Sequence, residues 1–128
     1  MPQPAPLVCL VDSDPATRRS VPPLLRRLGA EVAVYSTAQE FLVSIADRLP
    51  ACLIADTRLP DMSGLALLVQ LRAHGIGIPA ILLSSDDDVT GAVAAMRAGA
   101  IDCIEKPFID RVLANQVAKI LGRDARAQ

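Results

Sequence analysis

The chain is expected to fold as an α/β domain, a doubly wound parallel sheet of five strands with helices on both faces. Three observations point there. Short apolar runs alternate five times with longer apolar-periodic segments, about one pair per two dozen residues, the order that gives parallel strands joined by right-handed helical crossovers. The apolar runs are mostly continuous rather than alternating, as in strands buried on both faces. Four of them end in polar residues that include Asp12, Asp56, Ser84 and, after Glu105, Lys106. A parallel sheet gathers such strand ends at one carboxyl edge, where open α/β sheets bind their ligands. No self-similarity accompanies the period, which excludes a solenoid.

Leu7-Val8-Cys9-Leu10-Val11 is the first strand and runs into Asp12-Ser13-Asp14. Asp14 suits a helix N-cap and Pro15 the first helical position. The helix that follows carries Val21, Leu24, Leu25 and Leu28 inside and Arg18, Arg19, Arg26 and Arg27 outside, and Gly29 closes it. Pro22-Pro23 removes amide donors at roughly 3 kcal/mol for a proline in a helix interior. A kink there is expected; the other reading starts the regular helix near Ser20.

Residues 31–35 alternate more than the other strands, which suits a sheet edge. Ser36 or Thr37 caps the next helix, with Gln39 or Glu40 completing a capping box, and Phe41, Leu42, Ile45 and Leu49 form its buried stripe. Ala51-Cys52-Leu53-Ile54-Ala55 is the third strand and ends abruptly in Asp56. Pro60 and Gly64 break the backbone before a helix bearing Leu65, Leu67, Leu68 and Leu71. His74 is a solvated residue at that helix end, and 79–83 form the fourth strand. Asp86-Asp87-Asp88 places negative charge at the start of a helix carrying Val89, Val93 and Met96, which stops at Gly99. Residues 101–104 are the fifth strand. The last helix turns Phe108, Val112, Leu113, Val117, Ile120 and Leu121 to one apolar face. The domain is thus assigned to residues 7–121, with an N-terminal tail at 1–6 and a C-terminal tail or start of a linker at 122–128.

At 128 residues, 52% hydrophobic but only 2% aromatic, the core must be aliphatic. A net charge of −1 without a basic run argues against nucleic-acid binding by this segment. Residues 1–6 lack the charged and apolar regions of a signal peptide, and no apolar stretch approaches the roughly 18 residues that span a bilayer. Cys9, Cys52 and Cys103 each sit alone in an apolar run, as reduced core thiols of a cytoplasmic protein do. With His74 the only histidine, neither a zinc site nor a Cys-His or Ser-His pair is supported. Nucleotide-binding glycine motifs are absent. A phosphatase built on Asp56 would need a covering insertion that no loop here is long enough to supply.

The four strand-end residues suit phosphoryl transfer to a carboxylate. A carboxylate can form an acyl phosphate, and because the transferred group spreads charge over three oxygens, catalysis is mostly positioning and electrostatics. Such chemistry needs a hard cation, a fixed positive side chain and a small hydrogen-bond donor. Asp12 and Asp56 can supply carboxylates to Mg²⁺, Lys106 the positive charge and Ser84 the donor. Taken singly, each residue reads as a cap, a turn former or a solvated charge; their common placement carries the argument. Lys106-Pro107 adds to it, since X-Pro is the common site of a cis peptide, which would aim the lysine back.

Val11-Asp12, the block from Asp56 through Arg58, Pro60 and Asp61 to Gly64, Ser84, Ala98-Gly99-Ala100 and Glu105-Lys106-Pro107-Phe108 together resemble the response-regulator receiver domain of two-component signalling, in the style of nitrogen-fixation and nodulation regulators. The resemblance spans about residues 7–121. It implies a flavodoxin-like fold with strand order 2-1-3-4-5, and Asp56 as a phosphoacceptor charged by a sensor histidine kinase. Self-catalysed phosphorylation and dephosphorylation would make this a stoichiometric acceptor rather than an enzyme. Asp12 and Asp56 would then hold Mg²⁺ with the Arg58 backbone carbonyl, Ser84 would be the switch hydroxyl, and Lys106 would contact the phosphoryl group. It further implies a face of the fourth helix, fifth strand and fifth helix that controls a partner, a homodimer or a DNA-binding effector domain outside this chain. Two positions depart from the family. Ser13 stands where an acid normally touches the metal, and a neutral hydroxyl is a poorer ligand for a hard cation; Asp14, next along, is expected to serve as the helix cap. Cys103 stands where the family usually has a switch aromatic. These departures motivate an alternative, an atypical receiver that works as an interaction module without phosphate.

Overall fold

Alternate residues along each central strand point to opposite faces of the sheet, and here both faces are covered. The computed structural model describes residues 4–85 and 89–123. Its elements run β1 (Leu7–Val11), α1 (Pro15–Arg26), β2 (Glu31–Tyr35), α2 (Ala38–Ser44), β3 (Cys52–Asp56), α3 (Gly64–Ala73), β4 (Ala80–Ser84), α4 (Val89–Arg97), β5 (Asp102–Glu105) and α5 (Asp110–Leu121). All pairings are parallel and the strand order is β2-β1-β3-β4-β5, with β2 at an edge as its alternation suggested. Leu7, Cys9, Val11, Leu53, Ala55, Ala80 and Leu82 turn to one face, where Phe41 of α2, Leu67, Leu68 and Leu71 of α3 and Ala95 of α4 cover them. Val8, Leu10, Cys52, Ile54, Ile81 and Leu83 turn to the other, under Val21, Leu24 and Leu25 of α1 and Leu113 and Val117 of α5.

The caps explain where the helices begin. Asp14 accepts a hydrogen bond from the Ala16 amide at 3.0 Å. Thr37 accepts from the Glu40 amide at 3.1 Å and donates its own hydroxyl to the Glu40 carboxylate. Ser63 caps α3. Helix α1 runs unbroken from Pro15, so the reading that began it near Ser20 does not hold. Pro22 and Pro23 leave the Arg18 and Arg19 carbonyls without their helical donors, and both of those residues are exposed to water that can serve them. Helix α2 stops at Ser44, earlier than its apolar stripe implied, and Leu49 is exposed rather than buried. Val112, placed by its spacing on the apolar face of α5, is also exposed; Ala114 and Ala118 take the buried positions beside Leu113 and Val117. Asp86-Asp87-Asp88 lies outside the described residues.

Arg72 near the end of α3 spends its guanidinium on three backbone carbonyls, those of Ile76, Ile78 and Gly99, and so ties α3 to the approach to β4 and the end of α4. The thiols follow their surroundings. Burial pushes the Cys9 thiol up to about 11 and the Cys52 thiol up to about 12, whereas Cys103 is half-buried beside a surface cleft. With an aromatic disulfide reagent at pH 8, the native chain should release one rapid equivalent of thiolate, from Cys103. The other two should appear only on unfolding, and three fast equivalents in the native state would contradict this burial pattern.

Candidate functional site

The carboxyl edge of the sheet brings three charged side chains into direct contact. Asp12 follows β1; its amide donates to the Tyr35 carbonyl at 2.9 Å and its carboxylate is fully buried. Asp56 ends β3, in register with Leu83. Lys106 follows β5, its amide held by the Ser84 carbonyl and its peptide to Pro107 cis. From there the Lys106 ammonium donates to Asp12 Oδ2 at 2.8 Å and to Asp56 Oδ2 at 2.7 Å, with Asp14 Oδ2 at 3.8 Å. Residues 94 and 50 positions apart in the chain thus share one cation.

The loop after Asp56 folds back on itself. The Arg58 amide donates to Asp56 Oδ1 at 2.8 Å, which leaves Oδ2 to the lysine. Thr57 donates to the Leu83 carbonyl, Gly64 donates to the Thr57 carbonyl, and Arg58 and Ser63 form an antiparallel bridge. Gly64 must be glycine for a steric reason: a Cβ there would stand 2.3 Å from the Asp56 carbonyl oxygen.

Burial pushes the Asp12 carboxyl above its ordinary value, and the nearby Asp56 charge acts the same way, against the Lys106 ammonium and the Asp14 amide that pull it down. Burial alone would lower the Lys106 value, but hydrogen bonds to Asp12 and Asp56 reverse this and hold it raised, so the ammonium stays charged. Asp14 is held below the usual carboxylate range by the Ala16 amide.

A profile of the response regulator receiver domain matches residues 8–118, nearly the whole described chain. This chain belongs to the response regulator receiver family. Nodulation protein W of Bradyrhizobium diazoefficiens is 37% identical to the receiver over 120 residues, covering 94% of this chain and 53% of that protein. The transcriptional regulatory protein FixJ of Rhizobium meliloti is 39% identical, covering 88% and 55% respectively. The crystal structure of FixJ-N superposes with a TM-score of 0.82 at 37% identity, covering 92% of this chain and 94% of that one. A response regulator receiver protein from Pseudoalteromonas atlantica gives 0.85 at 34% identity, covering 91% and 98%. The receiver spans about half the length of the curated relatives it matches. Receiver domains are regulatory rather than classical enzymes and generally bind Mg²⁺ at the phosphorylation site.

The donors here suit such an ion. Two carboxylates already share one ammonium within 2.8 Å, and hard oxygens are what Mg²⁺ takes. Asp12 and Asp56 would hold it, with the Arg58 carbonyl from the adjoining loop. Among the described residues no three His, Cys, Asp or Glu side chains gather as a metal cluster, so backbone and water would complete the shell. Ser13 is exposed and neutral, and Asp14 is committed to capping α1 through Ala16 and Thr17.

Of the residues singled out from sequence, Asp12, Asp56 and Lys106 meet directly, and Arg58 joins them through its amide. Ser84 stands one strand over, its backbone bonded to Lys106, and lines a cleft of about 250 Å³ with Thr57, Leu82, Ala92 and Cys103. Cys103 is therefore not the enclosed core thiol its apolar run suggested; it sits only half-buried at the wall of that cleft. Sequence reasoning placed Asp61 in the motif block but gave it no role. Its carboxylate accepts from the amides of Ala38 and Gln39 at the start of α2, and nothing local in Pro60-Asp61 distinguishes it from an ordinary turn residue.

Proposed function

We propose that Asp56 accepts a phosphoryl group from the phosphohistidine of a sensor kinase. The new charge then resets the face of α4, β5 and α5 toward a partner, a second copy or an effector domain with transcriptional output. The observation that carries this reading is the Lys106 ammonium bonded at once to Asp56 and to fully buried Asp12. In the step itself Asp56 Oδ attacks phosphorus, the P–N bond to the donor imidazole breaks, and that ring leaves with its electron pair and takes up a proton. Lys106 is placed to follow the developing charge on the phosphoryl oxygens. Mg²⁺, when bound, supplies further charge neutralisation there. Ser84 would be the hydroxyl that follows the new phosphoryl group, a role supported by its backbone bond to Lys106. The controlled face is supported by exposed apolar side chains: Val93 and Met96 on α4, Ile101 before β5 and Val112 on α5 are each 45–49% exposed. Residues 7–121 form the functional unit. Among the described residues no helix is long and apolar enough to cross a membrane. On the kinase-partner reading, the receiver's site of action is the cytoplasm.

A second reading has its own support. Ser13 stands where the family has an acid at the metal pocket, and Cys103, on the wall of the cleft beside Ser84, stands where the family usually has an aromatic. On that reading the receiver signals by docking alone, and Asp56→Asn leaves output intact. The test is acetyl phosphate with millimolar Mg²⁺, read by intact mass. One phosphoryl adduct on the parent chain, lost in Asp56→Asn, supports phosphoacceptance. No adduct on the parent favours the docking module.

A further inference from the structure

We propose that Asp61 is a positioning residue for the chemistry at Asp56, clamping the loop that carries Arg58 to the start of α2; this rests on Asp56 being the phosphoacceptor. The Asp61 carboxylate is used on both oxygens: Oδ1 accepts from the Ala38 amide at 3.0 Å and Oδ2 from the Gln39 amide at 2.9 Å. These donors lie 23 and 22 residues earlier in the chain, so the contact joins two separate segments.

The helix has a local cap of its own, and Asp61 adds acceptors for the Ala38 and Gln39 amides, which no helical carbonyl can take. Thr37 already caps α2 locally through the Glu40 amide, and its hydroxyl is tied in turn to the Glu40 carboxylate. The Asp61 contact also gives the loop a second anchor. The base of the loop is fastened beside Asp56 by the Gly64 amide on the Thr57 carbonyl, by the Arg58–Ser63 bridge and by buried Leu59. At its tip Asp61 meets α2, and the neighbouring Met62 packs against the core. Arg58 is part of that base, three residues before Asp61, and its amide sets the rotation of the Asp56 carboxylate through the bond to Oδ1. A loop held at both ends presents the Arg58 backbone and the Asp56 oxygens in one arrangement; a loop held at its base alone samples several. Reaction rates are sensitive to such loss of alignment even when every reacting group is still present.

The experiment compares the parent chain with Asp61→Ala, Asp61→Asn and Thr37→Ala, measuring adduct formation from acetyl phosphate with Mg²⁺, Mg²⁺ affinity by amide-shift titration, and thermal midpoint. Asp61→Ala should slow adduct formation and weaken Mg²⁺ binding, each about tenfold, the scale of a modest misplacement at a reacting centre. Asp61→Asn should recover most of both, because its amide oxygen still accepts from one of the two donors. Thr37→Ala loosens the same helix without touching the loop, and should lower the thermal midpoint while leaving rate and affinity within about twofold of the parent. The proposal is overturned if Asp61→Ala reacts and binds Mg²⁺ as the parent does. It is equally overturned if Thr37→Ala matches the losses of Asp61→Ala, since the effect would then belong to helix stability. A parent chain that forms no adduct at all is a different result: it removes the phosphoacceptor reading itself, and this proposal with it.

Discussion

Gly64→Ala should destabilise the domain by about 2–4 kcal/mol, toward the upper end for overpacking, because the new methyl meets backbone rather than a side chain that can swing aside. The Cβ would stand 2.3 Å from the Asp56 carbonyl oxygen, 3.0 Å from the Asp56 carbonyl carbon and 3.2 Å from Thr57 Cα. Relief requires α3 to retreat from the end of β3, which breaks the Gly64–Thr57 hydrogen bond and disturbs the turn that orients Asp56. In a thermal scan this corresponds to a midpoint lower by roughly 10 °C for a domain of this size. Gly77→Ala is the matched control: its Cβ meets nothing within 4 Å, so it should change stability by no more than about 0.5 kcal/mol. Equal stability for the two variants would show that the close approach at Gly64 is not rigid.

Lys106→Met should cost about 3 kcal/mol at neutral pH, the scale of removing one partner from a buried charge pair. The Lys106 side chain is 13% exposed and that of Asp12 is not exposed at all, so water does little to replace the lost ammonium. The pH dependence has a definite sign. Burial already holds the folded-state value of Asp12 above its unfolded value, so this group favours the folded chain at low pH, and that benefit is lost as pH rises through the folded-state value. Without Lys106 the folded value rises further. The deficit of Lys106→Met should therefore be largest near neutrality and shrink on acidification, as Asp12 takes up its proton. Urea titrations at several pH values measure this, with Lys119→Met on the exposed side of α5 as control. Added Mg²⁺ should narrow the gap at neutral pH, because the carboxylates of Asp12 and Asp56, no longer neutralised by the ammonium, bind the ion more tightly in the variant, and an ion that binds only the folded pocket stabilises it by mass action. A deficit that grows on acidification would contradict the burial assigned to Asp12.

The features legible in the sequence were those set locally. Continuous apolar runs marked β1, β3 and β4, and the alternation in residues 31–35 marked an edge strand. Asp14 read as a cap, and the capping box read as Ser36 or Thr37 with Gln39 or Glu40, which the structure narrows to Thr37 and Glu40, because capping is decided within four residues. The meeting of Asp12, Asp56 and Lys106 followed once the strands were parallel, since strand ends then share an edge. Features set by distant neighbours were not legible. Leu49 and Val112 carry the right periodicity but remain exposed among the described residues, and apolar spacing alone does not say which residues a helix will find opposite it. Asp61 reaches α2 across 22 residues, and the approach of Gly64 to Asp56 depends on how tightly the loop returns, which spacing does not encode.

The most direct test of the account is chemical trapping at position 56. Treating the receiver with acetyl phosphate and Mg²⁺, then with borohydride, reduces an acyl phosphate to an alcohol and converts the modified aspartate to homoserine, which peptide mass mapping locates. The account predicts homoserine at residue 56 alone, with Asp12, Asp14 and Asp61 unchanged. Homoserine at any of those three instead, or an intact Asp56 in a chain that has taken up phosphate, would contradict it.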